Sequence, residues 1–87
     1  MDMCRVVGHA VSTQKDAALG GLPLLLVRPE GPDGKSAGAV MVATDTVGAG
    51  VGELVLVARG SAARQVAATR AAPTDCTVVA IVDAIKS

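Results

Sequence analysis

Apolar residues along this chain fall into five short runs, separated by stretches rich in Gly, Pro and polar residues. Each run has the length of a strand and is bounded by turn residues. The first spans Met3–Ser12, where Val7, His9 and Val11 share one face and Val6, Gly8 and Ala10 the other. The second is Leu22–Arg28, with Pro23 near its start, where a missing N–H is tolerated. Ala39–Val47 and Glu53–Ala58 follow, and Thr77–Ile85 closes the series. The connections Lys15–Gly21, Pro29–Gly38 and Ala71–Thr74 carry turn chemistry, clearest in Pro32-Asp33-Gly34. One segment breaks the period of two. Ser61 stands as an N-cap before Ala62–Ala68, which predicts one short helix.

These strands are apolar on both faces. Leu54 and Leu56 alternate with Val55 and Val57; Val78, Ala80, Val82 and Ala84 alternate with Val79, Ile81 and Ile85. A sheet with one wet face would alternate apolar with polar residues. The 87 residues read as a single domain over 1–87. A domain of this size buries too little surface to hide two apolar faces alone. The pattern predicts a mostly β fold, a small five-stranded OB-like barrel whose outside packs against copies of itself.

Composition sharpens this. Hydrophobic residues make up 51% of the chain before its 10 glycines are added. Soluble domains reach about 45–50% with glycine included. Phe, Tyr and Trp are absent, so the core is built from Val, Ala, Leu and Ile. Eight basic and eight acidic residues cancel. A neutral chain without aromatics lacks both the phosphate footprint and the stacking platform of a nucleic-acid binder. No nucleic acid is therefore expected as a partner, although OB folds often bind single strands.

Cys4 and Cys76 form no C-x-x-C and read as buried, reduced thiols of a cytosolic protein. No run approaches the ~20 apolar residues of a membrane span, and Met1–Val11 has no signal-peptide core. No membrane partner is expected.

The chemical templates fail one by one. Gly48, Gly50 and Gly52 suggest a dinucleotide loop, but Glu53 stands where G-x-G-x-x-G needs Gly, and a strand follows instead of a helix. Gly34-Lys35-Ser36 lacks the first P-loop glycine, replaced by Pro29, and reads as an exposed hairpin turn. Ser61 lacks the flanking glycines of a nucleophile elbow, where Arg59 and Ala63 stand. His9 and Cys4 differ by an odd number, which in a regular strand points them to opposite sides and argues against a shared metal. Asp45 and Glu53 flank the glycine turn. They read as acceptors for turn N–H groups, or as partners of Arg59 or Arg64 on a neighbouring copy.

The segment Val42–Arg64 carries a resemblance. It runs from Val42-Ala43-Thr44-Asp45 through Val47-Gly48-Ala49-Gly50-Val51-Gly52-Glu53 to Gly60-Ser61-Ala62-Ala63-Arg64. Cys4–Gly8, Ser12-Thr13-Gln14-Lys15, Leu24–Val27 and Val79–Asp83 agree with it in order. The chain resembles the EutN/CcmL family of bacterial microcompartment vertex proteins, and in pattern is most similar to the propanediol-utilisation type. Ala62 departs from the more usual second serine, which touches only the helix start.

The resemblance implies a cyclic pentamer that caps shell vertices and adjoins hexameric shell proteins in the cytoplasm. It implies no enzyme activity, cofactor or metal. On this reading Asp45, Val47, Gly48, Ala49, Gly50, Gly52 and Glu53 form an axial or subunit-contact loop. There, alternate glycines would serve positive φ and close backbone approach. Ser61 and Arg64 are the shell-contact candidates. The alternative from another class is a small OB-like module that binds a ligand or peptide without catalysis.

Overall fold

The computed structural model describes residues 1–11, 21–60 and 75–85. Within them five strands follow in order: β1 (Asp2–Ala10), β2 (Leu24–Pro29), β3 (Met41–Asp45), β4 (Leu54–Arg59) and β5 (Cys76–Ile81). They close into a barrel in the order β1-β2-β3-β5-β4. All neighbours are antiparallel except β3 and β5, which run parallel. The five expected strands are present. The helix expected over Ala62–Ala68, with Ser61 and Arg64, lies outside the described residues.

Three strands end earlier than the apolar runs suggest, β1 stopping at Ala10 where the run extends to Ser12. β3 covers Met41–Asp45, not Ala39–Val47, because Asp45 turns the chain by capping the N–H groups that follow it. β5 stops at Ile81, not Ile85, although Val82 still donates to the Leu54 carbonyl at 2.8 Å.

Cys4, Val6, Leu25, Val27, Val55, Val57 and Val78 fill the barrel interior, each at most 1% exposed. Ala43, Ala49 and Cys76 complete the core, with Met41 and Ile81 packed against it. Burying each Val or Leu is worth about 1.5–3 kcal/mol, and these small branched residues replace the aromatics the chain lacks.

Two bulges alter the expected alternation. On β1, Val6 pairs with Val27 and Gly8 with Leu26, which leaves Val7 as the extra residue. On β5, Val78 pairs with Val57 and Ala80 with Leu56, which leaves Val79 extra. Beyond Val79 the parity reverses, so Ile81 joins Val78 at the core where strict alternation places Ala80. The bulge at Val7 likewise undoes the parity argument for His9. His9 pairs with Leu25, an interior residue. What separates it from Cys4 is position along the barrel: His9 is exposed and Cys4 is buried.

The parallel β3–β5 contact is short, registering only Thr44 with Thr77 and Asp45 with Val78. Hydroxyls reinforce it. Thr44 Oγ1 lies 3.0 Å from Thr77 Oγ1 and donates to the Cys76 carbonyl at 3.2 Å. Thr46 Oγ1 donates to the Val78 carbonyl at 2.8 Å.

Candidate subunit-contact site

The glycine turn between β3 and β4 is fastened from four directions. Asp45, 4% exposed, accepts the Val47 N–H on Oδ1 at 3.0 Å and the Ala49 N–H on Oδ2 at 2.9 Å. This Asx geometry lets a short side chain mimic a backbone turn. It also draws Ala49 into the core. On the far side, Glu53 Oε1 accepts the Gly50 N–H at 2.6 Å. The Gly52 N–H donates to the Val6 carbonyl at 2.8 Å, and the Val6 N–H returns a bond to the Glu53 carbonyl at 2.9 Å. Arg5 Nη1 donates to the Gly52 carbonyl at 3.0 Å.

The glycines divide by role. Gly48 and Gly52 hold φ of 78° and 91°, a region that penalises any side chain with a Cβ. Gly50 does not share this conformation. A Cβ there would meet Glu53 Oε1 at 3.4 Å, an ordinary contact. The expectation of strain at alternate glycines thus holds at the outer pair and not at the middle one.

The sequence-derived loop residues separate into two layers. Asp45 and Ala49 are buried within the subunit, and Gly50 is partly covered. Val47, Gly48, Gly52 and Glu53 are exposed, as is Val51 beside them. Of the two roles weighed for the carboxylates, both Asp45 and Glu53 cap turn N–H groups of their own chain. Arg59 pairs with Asp2 at 3.1 Å.

A charged cluster behind this turn was not anticipated. Glu30 follows β2 with its side chain 3% exposed. Arg5 grips it with two bonds, Nη2 to Oε1 at 2.6 Å and Nε to Oε2 at 3.1 Å. Arg28 adds a longer contact, Nη2 to Oε2 at 3.7 Å. The hydrogen bonds from Arg5 hold the Glu30 carboxyl below its ordinary range, with the positive charge of Arg28 in support. The available signal was cross-strand: Arg5 and Arg28 interrupt apolar runs, and register places them opposite each other. Two facing cations need a shared anion.

The Gly34-Lys35-Ser36 segment is the exposed turn the sequence suggests. Gly34 N–H donates to the Gly31 carbonyl at 3.0 Å, and Asp33 Oδ1 accepts the Lys35 N–H at 3.0 Å. Among the described residues no three His, Cys, Asp or Glu side chains converge as a metal site. Cys4 and Cys76 are both buried thiols. Desolvation is the main cause that pushes Cys4 up to about 11 and raises Cys76 as well.

A closed five-stranded barrel with a capped glycine turn defines a small OB-type β protein, with backbone geometry rather than a reactive constellation at its most elaborate turn. Residues 1–83 match the family described as ethanolamine utilisation protein EutN/carboxysome, and the chain belongs to this EutN/CcmL family. It is 47% identical over 89 residues to the microcompartment shell vertex protein PduN of Salmonella typhimurium, covering 98% of both chains. It is 46% identical over 85 residues to the carboxysome shell vertex protein CcmL of Thermosynechococcus vestitus, covering 98% of this chain and 86% of the relative. The solved structure of GrpN, a pentameric microcompartment shell protein from Rhodospirillum rubrum, superposes with a TM-score of 0.87 at 40% identity. That match covers 100% of this chain and 99% of GrpN.

Proposed function

We propose that this chain is a structural shell protein, five copies of which close into a ring that caps a vertex of a bacterial microcompartment. The observation that carries the reading is the end-to-end likeness to a pentameric shell protein, 100% of one chain against 99% of the other. The physical rationale is geometric. A flat hexagonal sheet cannot close, and pentagonal units supply the curvature. A ring of five needs a heterologous interface with a 72° rotation per subunit. An 8.6 kDa barrel with apolar residues on both strand faces has surface to spend on such an interface.

In this reading the ring sits in the shell in the cytoplasm, adjoins hexameric shell proteins, carries no cofactor and catalyses nothing. The exposed members of the glycine turn, Val47, Gly48, Gly52 and Glu53, face the ring axis or a sister subunit. Asp45, Ala49 and Gly50 form their inner support. Ser61 and Arg64 remain the candidates for contact with the shell. Native mass spectrometry tests the ring: five times the 8.6 kDa chain mass is expected. A monomer at micromolar concentration would favour the alternative, a small OB-like module for a ligand or peptide. Coexpression with hexameric shell proteins tests the vertex role. Closed polyhedral shells are expected with the chain, and open-cornered or elongated ones without it.

A further inference from the structure

A cyclic ring built from one chain must join two different surfaces, one from each neighbour. The barrel carries two apolar outer walls of opposite electrostatic character. The first is the outside of β2 and β3. Leu26 pairs with Val42 there, and Val42 is 53% exposed. Val40, just before β3, is 52% exposed. Arg28 edges this wall on the same face of β2 as Leu26, with its side chain 39% exposed. Its charge is poorly matched. The nearer guanidinium, Arg5, occupies Glu30 at 2.6 Å, while Arg28 stands off at 3.7 Å, and Arg28 Nε is buried without an acceptor. Arg5 and Glu30 satisfy each other, so among the described residues Arg28 is the unmatched charge at the edge of this wall.

The second wall belongs to β4 and the segment after β5. Leu54, Val82 and Ile85 line a groove of about 460 Å³ there, and Arg5, its charge already taken up by Glu30 and the Gly52 carbonyl, is also part of the lining. Ile85 is 54% exposed. Glu53 and Asp83 rim the groove, both exposed. Glu53 already caps Gly50, which leaves Asp83 as the acid of the rim with no hydrogen bond to a described residue. In the barrel order β1 separates the two walls on one side, so one subunit can present both at once.

We infer that the joint between neighbouring copies sets the Val40–Val42 wall of one subunit into the Leu54–Ile85 groove of the next, with Arg28 of the first facing Asp83 of the second. The inference rests on the ring proposed above. Apolar contact supplies the association, and the charge pair fixes which walls meet. Two basic-edged walls or two acid-rimmed grooves would oppose like charges, so the pairing selects head-to-tail closure over a two-fold dimer.

Charge reversal and rescue test this. Native mass spectrometry and sedimentation would follow the full chain as wild type, Asp83→Lys, Arg28→Glu and the double variant. Circular dichroism would monitor the fold of each. Asp83 is exposed, so Asp83→Lys leaves the barrel intact and is expected to weaken the ring about tenfold or more. Arg28→Glu alone is expected to do the same, and the double variant to recover most of the loss. Val42→Asp, also at an exposed site, is expected to yield monomers. A pentameric wild type whose Asp83→Lys and Val42→Asp variants stay pentameric at the wild-type dilution limit overturns the joint and leaves the ring standing. A double variant no tighter than either single overturns the Arg28–Asp83 pairing. A monomeric wild type overturns the ring, and the joint with it.

Discussion

Asp45 holds Ala49 in the core: its Oδ2 accepts the Ala49 N–H at 2.9 Å, and the same carboxylate takes the Val47 N–H on its other oxygen. One buried side chain thereby ends β3, shapes the glycine turn and fills a core position four residues later. The residues between are left to face outward. The proposed ring contact depends on this inner scaffold.

Asp45→Ala is expected to destabilise the subunit by about 2–4 kcal/mol, because two turn N–H groups lose their acceptor in a buried setting. Asp45→Asn keeps one acceptor oxygen and should cost less. Denaturant midpoints of the three proteins, taken under conditions that hold the assembly state constant, decide the order. Equal midpoints would mean that water replaces the carboxylate without loss.

Gly48→Ala and Gly52→Ala should each cost about 1–2 kcal/mol, since a Cβ is strained at their positive φ. Gly50→Ala should be nearly neutral for folding, given its ordinary φ and a 3.4 Å contact. Gly50→Val then separates folding from assembly. A normal melt with a weakened ring would place the turn at a subunit junction. A normal melt with a normal ring would mean that solvent surrounds it.

Acid should loosen the Arg5–Glu30–Arg28 cluster. The Glu30 carboxyl is held below its ordinary range by Arg5, so its contribution is present above the unfolded carboxylate pKa of about 4.3. It is lost as pH falls through the lower folded value. Glu30→Gln should therefore be less stable than wild type at neutral pH and should show a shallower fall in stability on acidification. Parallel pH–melting curves for the two proteins would refute this.

Alkali acts on the thiols in the opposite sense. Cys4 is raised to about 11 by burial, so the folded state keeps the proton that the unfolded chain releases near pH 9. Stability from this source is full below that pH and falls as pH rises toward 11. Alkylation of the native protein at pH 8 should be slow at both cysteines and become fast in denaturant, read by intact mass. Rapid native labelling would show that one thiol is accessible.

Absence of nucleic-acid binding is also expected despite the OB-type topology. The net charge is zero and no aromatic side chain exists for stacking. Micromolar affinity for a labelled single strand at ~150 mM salt would contradict it, since such binding draws on clustered Lys and Arg.

The sequence by itself determined the strands, the barrel class and the family. Strand spacing, two-sided apolar runs and the Val42–Arg64 block are local properties, and each survives without knowledge of what packs where. Hairpin turns such as Gly31–Lys35 were legible for the same reason, because Asp33 caps a neighbour two residues away. The tertiary structure alone decided the rest. A bulge is a mismatch between two strands, so neither Val7 nor Val79 announces itself, and each reverses the inward and outward residues beyond it. Glu30 finds its partner only because the pairing of β1 with β2 brings Arg5 to it from 25 positions away. The split among Gly48, Gly50 and Gly52 follows from where Asp45, Val6 and Arg5 fasten the turn; Asp45 acts within the turn, but the bonds to Val6 and Arg5 come from β1, more than 40 positions away. Pattern fixes which residues are apolar; long-range closure fixes which of them still face outward.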